Sequence, residues 1–284
     1  MKFVERTFEN PLISVIIAAA QCDEALMRSI RSVQEQSYQN IEILCITGEG
    51  CAGVCDDPRT TEHTIASYTP SSAYNYGLSL RRGDVVLFLS SGDEIHSEFL
   101  EKGSEWLQLF EASAVQCAAM VEKESVIDSI VLPLGTHQAF SKNLMRGKPC
   151  FLHSFLIRAD ECSAFRRDLD TSHVTDFLLS SLHGKKIVMK GEYIGAFCSA
   201  EASEREPQGI KEAMETSRML AGHLDELNNP FTRFVAVRKI SQIYSCYREG
   251  LKNGMVRRDE SYEHAMQEQR LLPAFLFRGH CQAN

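Results

Sequence analysis

Long apolar runs and a basic balance of charge are both missing from this 284-residue sequence. A helix that crosses a bilayer needs roughly 20 apolar residues, and no window of the chain holds that many. The formal net charge is −8, whereas a general nucleic-acid binder usually carries a basic surface. We therefore expect a cytoplasmic protein that has no nucleic-acid partner. Any contact with a membrane is expected to be peripheral, on the inner face of that membrane.

Two common site signatures are also missing. The P-loop pattern G-x-x-x-x-G-K does not occur, so the usual phosphate cradle of nucleotide hydrolases is not predicted. Cys51 and Cys55 have a loose ligand spacing, but no second Cys/His pair accompanies them, and a zinc site is not predicted. The ten cysteines are scattered and several lie in apolar runs, which favours reduced thiols in the core.

Apolar, β-branched runs alternate with amphipathic segments in the first part of the chain. The order strand, helix, strand, strand, helix, strand is typical of a doubly wound α/β unit. Such sheets bind ligands beyond the carboxyl ends of their strands. The predicted strands are 13–20, 41–46, 63–67 and 84–89, and the helices lie in 22–37 and in 71–83, the latter with a Ser cap and a closing Gly83.

The remainder of the chain is less regular. A helix is predicted to run through 105–114, and strands at 126–132 and 150–158. A further helix, which begins near residue 176 and is closed by Gly184, precedes another strand. The chain after residue 201 has a helical pattern, and the acidic stretch around Pro207 marks a boundary between a domain of residues 1–205 and a helical extension of residues 206–284.

Three strand ends should meet at one crevice, at 18–21, 47–50 and 90–94. The last of them carries two acids, Asp93 and Glu94, directly after two serines and a glycine. A strand that ends in small residues and carboxylates is a natural place for a metal ion or a phosphate. The alternative is that Asp93 caps the helix that follows it.

Two dense blocks of the sequence resemble a known family. "SVQEQSYQNIEI" (32–43) and "SSAYNYGLSLRRGDVVLFLSSGDEIHSEFLEK" (71–102) are similar to consecutive motifs of the family 2 glycosyltransferases, and the turn is closest to the subgroup with "FLNSGD". The resemblance implies the GT-A fold, a Rossmann-like, doubly wound mixed sheet flanked by helices. Residues 11–110 would be the nucleotide-sugar half, and 111–205 the acceptor half.

The departures from this family fall on its signature turns, to which the resemblance assigns the binding of the nucleotide and the metal ion. Where the family has P-T-Y-N, D-D-G-S and D-x-D, this chain has Ala18 to Gln21, Thr47 to Gly50, and Ser90 and Gly92 in place of the two acids. The resemblance still implies a weakly held divalent cation, Mg²⁺ or Mn²⁺, on Asp93, since such ions prefer carboxylate and phosphate oxygens. The nucleotide-sugar site that it implies consists of Ala18, Gln21, Glu49, Asn75, Ser91 and Asp93.

The family also needs a carboxylate that removes the proton of the acceptor hydroxyl. The matching helix start is "TSHVTDFLL", where Asp176 is the only acid. One alignment puts Asp176 on the catalytic base, and another puts Val174 there. An acid in the first turn is also favoured simply by the helix dipole.

Taken together, the resemblance implies an inverting glycosyltransferase that uses a nucleotide-sugar donor, most simply a UDP-sugar. Its acceptor would be a glycan or a lipid-linked molecule, in cell-surface polysaccharide or glycoconjugate synthesis. Because all three signature turns are altered, the alternative is an inactive GT-A domain that binds a nucleotide or glycan or serves as a partner subunit.

The basic segment 231–258 keeps apolar residues at helical spacing. Such a helix can lie on an anionic membrane, or it can pack on the catalytic domain with a solvated basic face. The late apolar run 271–277 could dock on the domain or on a second subunit of a homodimer.

Overall fold

The structure is a computed structural model that describes residues 10–48, 56–123, 126–136, 139–199, 209–227 and 229–268. These residues form one mixed sheet with helices packed on it, which confirms the predicted α/β class. The strands are β1 (Ile13–Ala19), β2 (Ile41–Thr47), β3 (Thr60–Thr64), β4 (Val85–Ser90), β5 (Glu94–Ile95), β6 (Ala114–Lys123), β7 (Val126–Val131), β8 (Phe155–Arg158) and β9 (Ile187–Ser199). The helices are α1 (Glu24–Gln34), α2 (Pro70–Leu80), α3 (Phe99–Leu109), α4 (Phe140–Met145), α5 (His173–Leu182), α6 (Ile210–Gly222), α7 (Pro230–Lys252) and α8 (Glu260–Glu268).

The strands follow the order β3-β2-β1-β4-β8-β6-β9-β5, and β7 pairs with β6. The first four are parallel, whereas β8 is antiparallel to both β4 and β6. All seven residues of β1 and of β2 are buried, as expected for parallel strands that are covered on both faces. The carboxyl ends of β1, β2 and β4 therefore meet at one edge of the sheet.

Local sequence determines the first two helices. Helix α1 is capped by Asp23, whose side chain accepts the Leu26 N–H at 2.9 Å. Helix α2 begins with Thr69 as its cap, in a reciprocal capping box with Ser72, so the predicted Ser cap lies too far along the chain. The predicted end at Gly83 is also wrong, because the helix stops at Leu80.

Other boundaries differ from the prediction as well, and one of them is the start of α5, which lies at His173 rather than near residue 176. Strand β3 begins at Thr60 rather than 63, and β8 is limited to Phe155–Arg158 because a short 3-10 helix occupies Leu152–Ser154. Helix α3 ends at Leu109 rather than continuing through 114, since the backbone turns at Glu111, which has a φ of 45°. The apolar residues after this turn form β6, a central strand of the sheet that the sequence pattern did not predict.

The C-terminal helices share a hydrophobic core with the sheet. Ile16, Phe88 and Phe155 of the strands belong to the same buried cluster as Met219 of α6 and Tyr247 of α7. The division of the chain at 205/206 stays a prediction.

Several predictions fall outside the described residues: those on Glu49, Cys51, Cys55, Pro207 and the run 271–277. Among the described residues no helix is long and apolar enough to cross a bilayer. Six cysteines of the described ranges are thiols rather than disulfides, namely Cys45, Cys117, Cys150, Cys162, Cys198 and Cys246. Cys22 is disulfide-bonded, so the expectation of reduced cysteines is wrong at that position.

Candidate functional site

The predicted crevice begins where β1 and β4 end side by side. Ala18 is the register partner of Ser90, and its carbonyl accepts the Ser91 N–H at 2.9 Å. The Ala18 side chain is buried, Ser91 is half-buried and Gln21 is exposed. These three predicted nucleotide-site residues thus lie along one edge of the sheet.

Asp93 closes the turn that follows β4. Its Oδ2 accepts the Ser90 N–H at 2.9 Å and lies 3.0 Å from Nδ1 of His153. Gly92 makes this turn possible with a φ of 93°. The helix-cap interpretation of Asp93 is wrong, because the cap position of α3 is Glu98 and no side chain bonds there.

His153 forms a buried ion pair with Asp93. Burial disfavours the charged imidazole, but the Asp93 carboxylate and the Cys198 thiol outweigh it and raise the pKa of His153 to about 9. The ring stacks on Phe151, with centroids 5.2 Å apart, and its Nε2 is buried without a hydrogen-bond partner among the described residues. No sequence motif indicates this partner, since no spacing rule relates the 3-10 helix to the β4 turn.

The divalent cation implied by the family needs several oxygen ligands. Asp93 directly follows the two altered D-x-D positions, and its Oδ2 already contacts a backbone N–H and an imidazolium. No cluster of three or more His, Cys, Asp or Glu side chains suited to a metal occurs in the described parts of the chain. The residues present do not fit a cation held by the protein alone, and the contact of Asp93 with a diphosphate-bound cation stays a prediction.

Asn75 braces a backbone segment. Its amide nitrogen donates to the Phe165 carbonyl and its amide oxygen accepts the Phe165 N–H, both at 2.8 Å. This reciprocal pair is the arrangement expected of a satisfied structural amide. A nucleotide contact of Asn75 stays a prediction.

Aromatic side chains connect this edge to the start of α5. The Tyr74 hydroxyl lies 2.8 Å from Oγ of Ser90, and the Tyr74 ring packs on Phe165 with centroids 5.0 Å apart. Phe165 in turn stacks on Phe177 at 4.0 Å. Phe177 directly follows Asp176 in the chain, so packed rings link the two acids that the sequence singled out.

Asp176 lies in the first turn of α5 and is only 1% exposed. Its Oδ1 is 3.0 Å from Nε2 of His223 and 3.7 Å from Nη1 of Arg166. Its Oδ2 is buried and has no hydrogen-bond partner among the described residues. Val174, the alternative position, is half-buried in the same helix.

His223 and Glu215 come from the helical extension. Burial lowers the pKa of His223, but Asp176 and Glu226 outweigh burial and raise it overall. Glu215 of α6 accepts three backbone N–H groups immediately before α5, from Asp170, Thr171 and Ser172, at 2.7 to 3.1 Å. The extension therefore fixes the start of α5, which no sequence motif indicated.

Comparison with known proteins identifies relatives for this arrangement. Residues 14–172 match the family model described as glycosyl transferase family 2. An uncharacterized glycosyltransferase of Haemophilus influenzae is 34% identical over 101 residues, which cover 32% of this chain and 40% of that protein. The amylovoran biosynthesis glycosyltransferase AmsB of Erwinia amylovora is 24% identical over 149 residues, or 46% and 50% of the two chains. The chain thus spans half or less of the length of these curated relatives.

Solved structures show the same fold at low identity. S. aureus TarS 1-349 in complex with UDP-GlcNAc superposes with a TM-score of 0.64 at 13% identity, covering 93% of this chain and 82% of that one. The mannosyltransferase PcManGT of Pyrobaculum calidifontis, in complex with GDP-Man and Mn²⁺, gives a TM-score of 0.50 at 13% identity and covers 92% and 84%. The fold is GT-A-like, as the resemblance implied.

Proposed function

Because this chain belongs to glycosyl transferase family 2, we propose that it transfers a sugar from a nucleotide-sugar donor to a glycan or lipid-linked acceptor, with inversion. The observation that carries the proposal is the shared edge of β1 and β4, which brings Ala18, Ser91 and Asp93 together within the matched segment. TarS, whose fold is similar, binds UDP and UDP-GlcNAc. A UDP-sugar is therefore the donor we propose, for polysaccharide or glycoconjugate synthesis.

The donor site that we propose has its diphosphate at the β4 turn. Ala18, Gln21 and Ser91 line the edge, with Glu49 and Asn75 as further members. The His153 imidazolium, paired with Asp93, supplies positive charge beside the leaving diphosphate, where negative charge builds up in the transition state. His153 thus takes a role that the sequence alone did not assign.

Asp176 is the base that we propose for the acceptor. As the acceptor oxygen bonds to the anomeric carbon, its proton passes to Oδ2 of Asp176 and the bond to the diphosphate breaks. Oδ2 suits this role because it has no hydrogen-bond partner in the described residues, while Oδ1 is held by His223. General-base catalysis of this kind contributes roughly 10²- to 10⁴-fold.

One observation favours a second candidate, a GT-A domain that binds nucleotide or glycan without transfer, or acts as a partner subunit. Both acids are covered in this structure, with Asp93 5% and Asp176 1% exposed. Each is also engaged by a histidine. A binding domain would need neither acid to open toward a substrate.

A nucleotide titration tests the proposal and separates the two candidates. Thermal unfolding is measured with UDP, GDP and CDP, each with Mn²⁺ or with EDTA, for the wild type, Asp93→Asn and Glu94→Gln. Glu94 is the matched control, since it directly follows Asp93 at the start of β5, and its half-buried side chain is paired with Arg28 at 3.2 Å. A ligand at a hundred times its Kd stabilises the native state by about 2.7 kcal/mol.

We expect UDP to raise the unfolding temperature of the wild type and of Glu94→Gln, and much less that of Asp93→Asn. The Mn²⁺ and EDTA arms show whether a cation accompanies the diphosphate. UDP binding without release of UDP from UDP-hexoses would favour the binding domain. No response to any nucleotide at millimolar concentration would contradict the proposed transferase and would favour the second candidate as a glycan-binding domain or partner subunit.

A further inference from the structure

Helix α7 buries one face against the rest of the protein. Ala236, Ile240, Tyr244 and Tyr247 are all buried, and their spacing of three or four residues puts them on one side of the helix. The packing interpretation of segment 231–258 is therefore confirmed for this face. These residues are not accessible to a membrane.

The opposite face of α7 is exposed at its N-terminal end. Phe231 and Phe234 are 55% and 53% exposed, which is unusual for side chains of this size. They stand three residues apart, and Arg238 follows at the i+7 position, so all three share one helical face. The two rings and the guanidinium thus point away from the core.

Cations from two helices surround these rings. Nζ of Lys142 in α4 lies 5.5 Å from the centroid of the Phe231 ring, and Cζ of Arg146 lies 5.9 Å from it. We call this surface the Phe231 patch; it consists of Phe231, Phe234, Arg238, Lys142 and Arg146.

We propose that the Phe231 patch docks the protein on an anionic phospholipid bilayer. The patch carries three cations, Lys142, Arg146 and Arg238, although the whole chain has a net charge of −8. Exposed aromatic rings flanked by long cationic side chains suit a bilayer surface, because the rings enter the headgroup region while the charged ends stay with the lipid phosphates. The proposal holds whichever sugar or acceptor is used.

Vesicle co-sedimentation of the full chain tests this proposal. Vesicles of phosphatidylcholine alone are compared with vesicles that contain phosphatidylglycerol as well, at low and high salt. We expect binding to the anionic vesicles only, and weaker binding at high salt, since surface charges are screened. The double variants Phe231→Ser/Phe234→Ser and Lys142→Gln/Arg146→Gln should each lower the partition coefficient by about tenfold or more.

A second exposed pair provides the matched control. Leu109 and Phe110 at the end of α3 are 74% and 38% exposed, and Nζ of Lys190 lies 5.5 Å from the Phe110 ring. Leu109→Ser/Phe110→Ser removes a similar apolar surface beside a cation and should leave vesicle binding unchanged.

Three results would overturn the proposal. One is binding of equal strength to both kinds of vesicle, or binding to neither of them. Another is equal loss of binding in the control variant. The third is a wild type that dimerises in sedimentation velocity while Phe231→Ser/Phe234→Ser stays monomeric, which would assign the patch to a second copy of the chain. Nucleotide binding is measured separately, so failure here is distinguishable from failure of the proposed function.

Discussion

Nε2 of His223 lies 3.0 Å from Oδ1 of Asp176, so the helical extension provides the partner of the acid at the start of α5. One carboxylate oxygen is held in place while the other has no partner in the described residues. A positioned base and a purely structural ion pair would both look like this. Substitutions on either side of the contact distinguish them.

Asp176→Asn should abolish sugar transfer, with a loss of roughly 10²- to 10⁴-fold, while UDP binding stays intact. His223→Gln keeps the carboxylate and removes only its partner, so it should retain measurable transfer. Steady-state release of UDP, combined with a UDP titration, measures both effects. Equal loss of stability in both variants with unchanged transfer would assign Asp176 a structural role.

The ion pair between His153 and Asp93 should make stability depend on pH in the alkaline range. The pKa of His153 is raised from 6.5 to about 9, so the pair contributes fully below pH 6.5 and is lost as the pH rises through 9. A pKa difference of this size corresponds to roughly 3 kcal/mol in the free energy of unfolding. Urea unfolding at pH 6 and pH 9.5 should show the loss in the wild type.

His153→Gln serves as the control for this measurement, because it has no proton to lose in that range. Its free energy of unfolding should change less than that of the wild type between the two pH values. If the wild type and His153→Gln lose the same amount, the alkaline effect comes from other groups.

Gly77→Ala should destabilise the protein although alanine is the better helix former. A Cβ at position 77 would collide with Cγ2 of Ile16, and forcing atoms into a packed core costs about 1 to 3 kcal/mol. Gly191→Ala is the control, since its Cβ would meet Pro133 at an ordinary 3.5 Å. Denaturant unfolding should separate the two, and a stabilised Gly77→Ala would contradict the close contact of α2 with β1.

Glu42 anchors the turn before β4 and should be required for stability at neutral pH. Its carboxylate accepts the Ser14 hydroxyl at 2.5 Å, the Arg82 N–H at 2.6 Å and the Gly83 N–H at 3.2 Å. Burial raises the pKa of Glu42, but these bonds outweigh burial and lower it overall. The stabilisation is therefore present above the unfolded pKa of about 4.5 and is lost as the pH falls through the folded pKa.

Glu42→Gln should lower the free energy of unfolding at pH 7 by about 1 to 3 kcal/mol, and by less at pH 3.5. Arg82→Gln removes an exposed partner only and should cost less than about 1 kcal/mol. Urea unfolding of both variants at the two pH values measures these changes in the free energy of unfolding. A Glu42→Gln effect that grows toward acid pH would contradict the assigned sign.

The parallel half of the sheet could be predicted because its signal is local. The apolar, β-branched runs of β1, β2 and β4 and the amphipathic helix α1 follow directly from residue periodicity. The edge of the sheet at which the carboxyl ends of these strands meet follows from their parallel pairing alone. For this reason Ala18, Ser91 and Asp93 lie where the sequence predicted them.

The partners of the acids could not be predicted in the same way. His153 reaches Asp93 from a 3-10 helix, and His223 reaches Asp176 from the end of α6. Both contacts depend on tertiary packing between elements distant in the chain, for which neither propensity nor motif spacing carries information. Strand β6 was not predicted either, because the residue pattern from Ala114 to Ala119 is equally compatible with a helix.

Glu215 bonds the backbone of residues 170–172 across the point where the family match ends. A gene fragment that ends after residue 205 would leave three N–H groups at the start of α5 without their acceptor and would uncover Asp176, and one cut at residue 172 would lack α5 and Asp176 altogether. The family boundary is therefore a poor guide for truncation. Domain swaps between members of the family should carry α6 together with α5, so that Glu215 and the helix start that it binds come from the same parent.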